Sequence, residues 1–81
     1  METKEIETRL EKIFKNVFND ESVVLTNELT ANDVDGWDSL SHMLLISEVE
    51  QEFSIKFKLN DLNKMRNVGD MINIIISKLA A

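Results

Sequence analysis

Apolar residues recur at helical spacing in three separated stretches, and this pattern limits the fold more than any other feature of the chain. Ile6, Leu10, Ile13, Phe14, Val17 and Phe18 fall at offsets 0, 4, 7, 8, 11 and 12, which is one stripe of an α-helix over 3–18. Leu45, Val49 and Phe53 recur every four residues with Ile46 beside them, predicting a helix over 39–53. Val68, Met71, Ile72, Ile75 and Leu79 make a third stripe over 68–80. Proline is absent and there are only 2 glycines, so nothing interrupts these helices. The reading is an all-α bundle forming one domain over 1–81. A chain of this size buries only ~60% of the surface its unfolded form exposes. That suffices for one modest core and leaves little room for a deep enzyme pocket.

The punctuation agrees with the stripes. Asn19-Asp20-Glu21-Ser22 ends the first helix. Asp38 is a good N-cap for the second. Asn67, with Asp70 three residues on, resembles a capping box at the start of the last. Residues 19–38 form a long aperiodic loop. Its Val23, Val24, Leu25, Leu29 and Val34 suggest that it packs down onto the bundle. Residues 54–59 alternate apolar and charged, a strand pattern, yet no second strand exists to pair with them. We read this segment as an extended linker that drops Ile55, Phe57 and Leu59 into the core. Asn60 or Asp61 then caps a short helix near 60–65 carrying Leu62 and Met65.

Charge excludes some functions. Residues 20–52 hold nine acidic side chains and no Lys or Arg within a net charge of −6, a stretch that repels phosphate backbones and attracts a basic partner. Nucleic-acid binding is not expected. The largely apolar run near the end, INIII, is far too short to span a bilayer. The start METKEIETRLEKIF is charged throughout and does not read as a signal peptide. The expectation is a cytoplasmic monomer without membrane insertion.

Conventional catalysis is poorly served. There is no Cys and a single His, His42, so neither a thiolate centre nor a multi-His metal site can form. His42 lies three residues after Ser39, but a Ser–His hydrolase also needs an orienting acid and an oxyanion hole. Asp33 and Asp35 lack the spaced ligands of a cation loop. No catalytic residue and no metal site are expected.

The informative segment is Asp35-Gly36-Trp37-Asp38-Ser39-Leu40. Ser39 falls on the first position of the second helix, where a hydroxyl is exposed and held by the helix behind it. Unpaired N–H groups at that end favour a negative substituent. Gly36 allows a tight approach, and Trp37 supplies apolar surface. Leu40, Met43 and Leu44 lie on a face adjoining the core stripe, so this helix is apolar around more of its circumference than one core contact needs.

The run GWDSLSHMLLISEVEQEFSIKF, followed by Val68-Gly69-Asp70, resembles acyl and peptidyl carrier proteins. The resemblance rests on Asp38-Ser39-Leu40, Glu50-Gln51-Glu52-Phe53, Ile55, Phe57 and Val-Gly-Asp in that order, and it covers residues 6–79. It implies a four-helix carrier bundle in which Ser39, flanked by Asp38 and Leu40, receives 4′-phosphopantetheine from coenzyme A through a phosphopantetheinyl transferase. It further implies a non-enzymatic carrier of acyl thioesters that serves acyl-loading and acyl-transferring enzymes. These would be recognised through Trp37, Leu40, Met43, Leu44 and Glu50. The family's acyl pocket maps onto His42, Leu45, Ile46, Val49, Phe57, Leu62 and Met65. Housekeeping fatty-acid carriers usually have an acid where Leu44 stands and an acidic third-helix region. This chain has Lys56, Lys58, Lys64 and Arg66 there, and its Gly-Trp before Asp-Ser-Leu looks like carriers of specialised pathways. A stand-alone specialised carrier is therefore expected, with an aminoacyl or peptidyl carrier (D-alanyl or non-ribosomal peptide type) as the alternative. An unmodified helical interaction module is the alternative of a different class.

Overall fold

The computed structural model describes residues 2–80; Met1 and Ala81, the ends of the expected 1–81 domain, lie outside the described residues. The described residues form α1 (Thr3–Phe18), α2 (Ser39–Phe53), the short α3 (Leu59–Asn63) and α4 (Val68–Ala80), with no strand. The three long helices have the bounds that their stripes predict.

The stripes meet in one core. Ile6, Leu10 and Phe14 of α1 are fully buried together with Leu45 and Val49 of α2 and Val68, Met71 and Ile75 of α4. Val23 and Ile55 close this core from the connections, while Val17, Phe18 and Leu79 pack partly buried against it. No polar or charged residue is buried among the described residues, so apolar burial is the main source of cohesion.

Helix ends follow from local chemistry. α1 and α2 both stop at a left-handed residue, Asn19 (φ 50°) and Ser54 (φ 55°), whose N–H groups return to the carbonyls of Lys15 and Glu50. Asn tolerates that conformation better than most side chains, whereas Ser has less reason to adopt it. At the start of α4, Asn67 Oδ1 accepts the Asp70 N–H at 2.8 Å. The Asp70 carboxylate does not complete a reciprocal box with Asn67. It accepts the Arg66 N–H at 3.2 Å instead.

The long loop is fastened to that same helix end. Val68 N–H donates to the Leu29 carbonyl at 2.9 Å and Gly69 N–H to the Asn27 carbonyl at 3.0 Å. A Cβ on Gly69 would stand 3.1 Å from that Asn27 oxygen, so a larger residue there would press on the loop backbone. Val23 is buried in the core with Leu25 and Leu29 packed against it, as the sequence suggests, and Val34 is buried apart from that cluster, but Val24 is exposed. Its neighbour Val23 turns inward, and in extended chain adjacent side chains take opposite faces.

The linker after α2 departs from expectation at its far end. Ile55 is buried and Phe57 half-buried, but Leu59 is 74% exposed. Alternation stops at Lys58 because Asp61 reaches back to accept the Lys58 N–H at 2.8 Å. That bond starts α3 at Leu59, earlier than the expected 60–65, and helical geometry carries Leu59 outward. Lys58, not Asn60 or Asp61, holds the cap position, and Met65 lies beyond the helix end. Lys78 of α4 holds the Asp61 carboxylate at 2.7 Å. This ion pair and the Lys58 N–H keep Asp61 below the usual carboxylate range, the Lys78 hydrogen bond contributing most.

Candidate functional site

The start of α2 is built around Asp38 and Ser41. Asp38 is extended, and its carboxylate accepts the Ser41 N–H at 2.9 Å, while Ser41 Oγ accepts the Asp38 N–H at 2.8 Å. Ser41 Oγ also donates to the Gly36 carbonyl at 2.6 Å. The Ser41 N–H, and then the Ser41 hydroxyl, hold the Asp38 carboxyl below its ordinary range. Sequence reasoning passed over Ser41, although Asp-x-x-Ser at a helix start is a capping-box spacing.

Gly36 has a role other than the expected one. Nothing lies within 4 Å of where its Cβ would stand, but its φ is +85°. Glycine is needed there for the backbone turn that aims its carbonyl at Ser41, not for a close approach.

Ser39 follows this lock and is exposed at the first helical position. Beside it runs a groove of roughly 390 Å³ lined by Ala31, Trp37, Asp38, Ser39, His42, Leu62, Met65 and Arg66. Of the residues mapped to an acyl pocket, the groove brings together His42, Leu62 and Met65. Leu45, Ile46 and Val49 point instead into the core, and Phe57 packs half-buried against it. The reason lies in α2 itself: the stripe that repeats every four residues is spent on α1 and α4. The part of α2 that borders this groove is its first turn, with Ser39 and His42. Ala31 and Arg66 were not foreseen, because they reach the groove from segments distant in sequence.

Trp37 is less of a surface than expected. Its ring packs edge-on against Phe14 with centroids 5.2 Å apart and lies 5.8 Å from Phe18. Its Nε1–H donates to His42 Nδ1 at 3.1 Å, and the two rings are nearly parallel. The neutral imidazole therefore carries its proton on Nε2. Burial pushes the His42 pKa down, favouring that neutral form.

Leu40 is 83% exposed, and Met43 and Leu44 are both more than half exposed. They form an apolar patch one turn long next to Ser39. Glu50 does not join it as a free acid: its Oε2 accepts the Phe57 N–H at 2.8 Å and fastens the linker to α2.

The exposed Ser39 hydroxyl lines the groove together with Asp38 and His42, whose carboxylate and Nδ1 are already engaged by the Ser41 N–H and the Trp37 Nε1–H. It suits covalent attachment rather than turnover. The chain matches the family model described as phosphopantetheine attachment site over residues 9–75. The fold is similar to the solution structure of a holo acyl carrier protein from Geobacter metallireducens, with a TM-score of 0.87 and 51% identity over 91% of this chain and 85% of that one. The chain belongs to the phosphopantetheine-attachment family of acyl carrier proteins, non-catalytic carriers that bear a covalent 4′-phosphopantetheine. The residues present fit such a group, since the exposed Ser39 opens directly onto the groove. No described helix is long and apolar enough to cross a membrane.

Proposed function

We propose that Ser39 is the attachment point and that this chain is a specialised acyl carrier. The observation that carries the reading is the exposure of Ser39 on a helix start locked by Asp38 and Ser41. In loading, the Ser39 oxygen forms the new bond to the phosphorus of coenzyme A that bears the pantetheine, the hydroxyl proton is lost, and adenosine 3′,5′-bisphosphate leaves. The attached arm supplies the thiol this chain lacks, holding cargo as a thioester. The protein's own residues present and recognise. Asp38, Ser41 and Gly36 fix the direction from which the arm emerges. Leu40, Met43 and Leu44 offer partner enzymes an apolar anchor, and buried apolar anchors dominate dissociation. Trp37 and Glu50 support this face from within.

The specialised assignment is supported by Leu44, exposed where housekeeping carriers have an acid, and by the basic side chains Lys56, Lys58, Lys64 and Arg66 around α3. Such a surface disfavours enzymes that select an acidic helix. Coenzyme A and the loading transferase set this activity in the cytoplasm. The test is the intact mass of the protein from its native cell, with the arm ejected in the gas phase to read its cargo. A polyketide-type or other non-housekeeping acyl group is the expected cargo. An aminoacyl group would replace the acyl reading with the aminoacyl one, and a common straight-chain fatty acyl series would overturn the specialised assignment. A chain isolated without an arm would favour an unmodified interaction module.

A further inference from the structure

The groove beside Ser39 has one cationic side chain on its wall, Arg66, which comes from the turn between α3 and α4. Its neighbours Lys58 and Lys64 are exposed and do not line the groove. Arg66 is tethered at one point: Asp70 Oδ2 accepts from its Nε at 3.4 Å and from its backbone N–H at 3.2 Å. A guanidinium has five N–H donors in a planar fork. Engagement at Nε leaves the two terminal NH2 groups to bind elsewhere, and these suit bidentate contact with phosphate oxygens. Across the groove, His42 has Nδ1 occupied by Trp37, so its remaining polar group is also a donor. Asp38, the acid on this wall, is already engaged by the Ser41 N–H at 2.9 Å.

We infer that Arg66, oriented by Asp70, clamps the phosphodiester at the root of the arm and holds that root against the groove. This rests on the proposed attachment to Ser39. Arg66 is a positioning residue in this role: it fixes where the arm leaves the protein and takes no part in acyl transfer. An exposed cation–phosphate contact of this kind weakens with salt.

The experiment compares wild type, Arg66→Ala, Arg66→Lys and Lys64→Ala, each loaded by a transferase and checked by mass for one arm. The readouts are the phosphorus-31 resonance of the phosphodiester and the Arg66 Nε–Hε cross-peak before and after loading. Loading wild type should move the Arg66 cross-peak. Arg66→Ala should shift the phosphorus resonance toward its position in the urea-unfolded loaded protein, and high salt should move wild type the same way. Arg66→Lys, which keeps the charge beside Asp70, should recover part of the shift, and Lys64→Ala should match wild type. A wild type that accepts no arm overturns the clamp together with the Ser39 reading. A loaded wild type overturns the clamp alone if its phosphorus resonance equals that of Arg66→Ala, or if its Arg66 cross-peak is unmoved by loading.

Discussion

The indole N–H of Trp37 donates to Nδ1 of His42 across 3.1 Å, joining the loop that precedes α2 to the first turn of that helix. A protonated imidazole carries hydrogen on both nitrogens and is unable to accept this bond. Burial already depresses the His42 pKa, so the unfolded chain binds the proton more readily than the folded one. Stability is then flat above the unfolded value near ~6.5 and falls as pH drops through it toward the lower folded value. Urea midpoints between pH 7.5 and 5.5, read from the fluorescence of the one Trp, should fall in wild type and stay nearly level in His42→Gln. Equal slopes would show that His42 is not the group responsible.

Phe53 closes the core at the end of α2 and is buried. Phe53→Ala should cost ~3–5 kcal/mol, against a total stability of about 5–15 kcal/mol for a native domain. Ser39→Ala removes an exposed hydroxyl and should change stability by under ~0.5 kcal/mol. Chemical denaturation of the two variants checks the contrast. Small and equal effects would contradict the packing described for α2.

Ser54 ends α2 with φ 55°, a left-handed conformation that costs an L-residue about 1–2 kcal/mol. Glycine adopts it freely but is more flexible when unfolded. The net expectation for Ser54→Gly is a gain of up to ~1 kcal/mol, from the smaller strain net of the unfolded-state term. A thermal melt that falls instead would mean the Ser54 side chain has a role its geometry does not reveal.

The exposed Leu44 is expected to be part of the partner anchor. Leu44→Glu should leave the melting temperature nearly unchanged and reduce turnover by the cognate transferring enzyme, while improving turnover by a fatty-acid ketosynthase. Parallel assays with the two enzymes measure both effects. A mutant that serves the cognate enzyme as well as wild type does would remove Leu44 from the interface.

Much of this molecule is legible in its sequence because helical periodicity and capping are local. The stripes beginning at Ile6, Leu45 and Val68 specify three helices and their buried faces, and Asp38 announces the start of α2. What escapes is set by which partner each polar group captures and by packing from other segments. Leu59 looks like a core residue until the Asp61 carboxylate captures the Lys58 N–H and starts a helix one residue earlier. Glu50 looks like a free surface acid until the linker folds back and donates the Phe57 N–H to it. Trp37 suggests open apolar surface, but α1 brings Phe14 and Phe18 against its ring. The groove has the same origin: Ala31, His42 and Arg66 are separated in sequence and meet only when α3 settles beside α2.

The central claim is that Ser39 carries the arm, and its neighbour Ser41 supplies the sharpest control. Both are hydroxyls in the first turn of α2, yet Ser39 is exposed while Ser41 Oγ is held between the Asp38 N–H and the Gly36 carbonyl. Wild type, Ser39→Ala and Ser41→Ala should be incubated with coenzyme A and a broad-specificity phosphopantetheinyl transferase, and their intact masses recorded. The account predicts one added arm on wild type, none on Ser39→Ala, and an arm still accepted by Ser41→Ala, more slowly if the loosened cap lets the helix start fray. An arm on Ser39→Ala, or a wild type that stays unmodified with several such transferases, would contradict it.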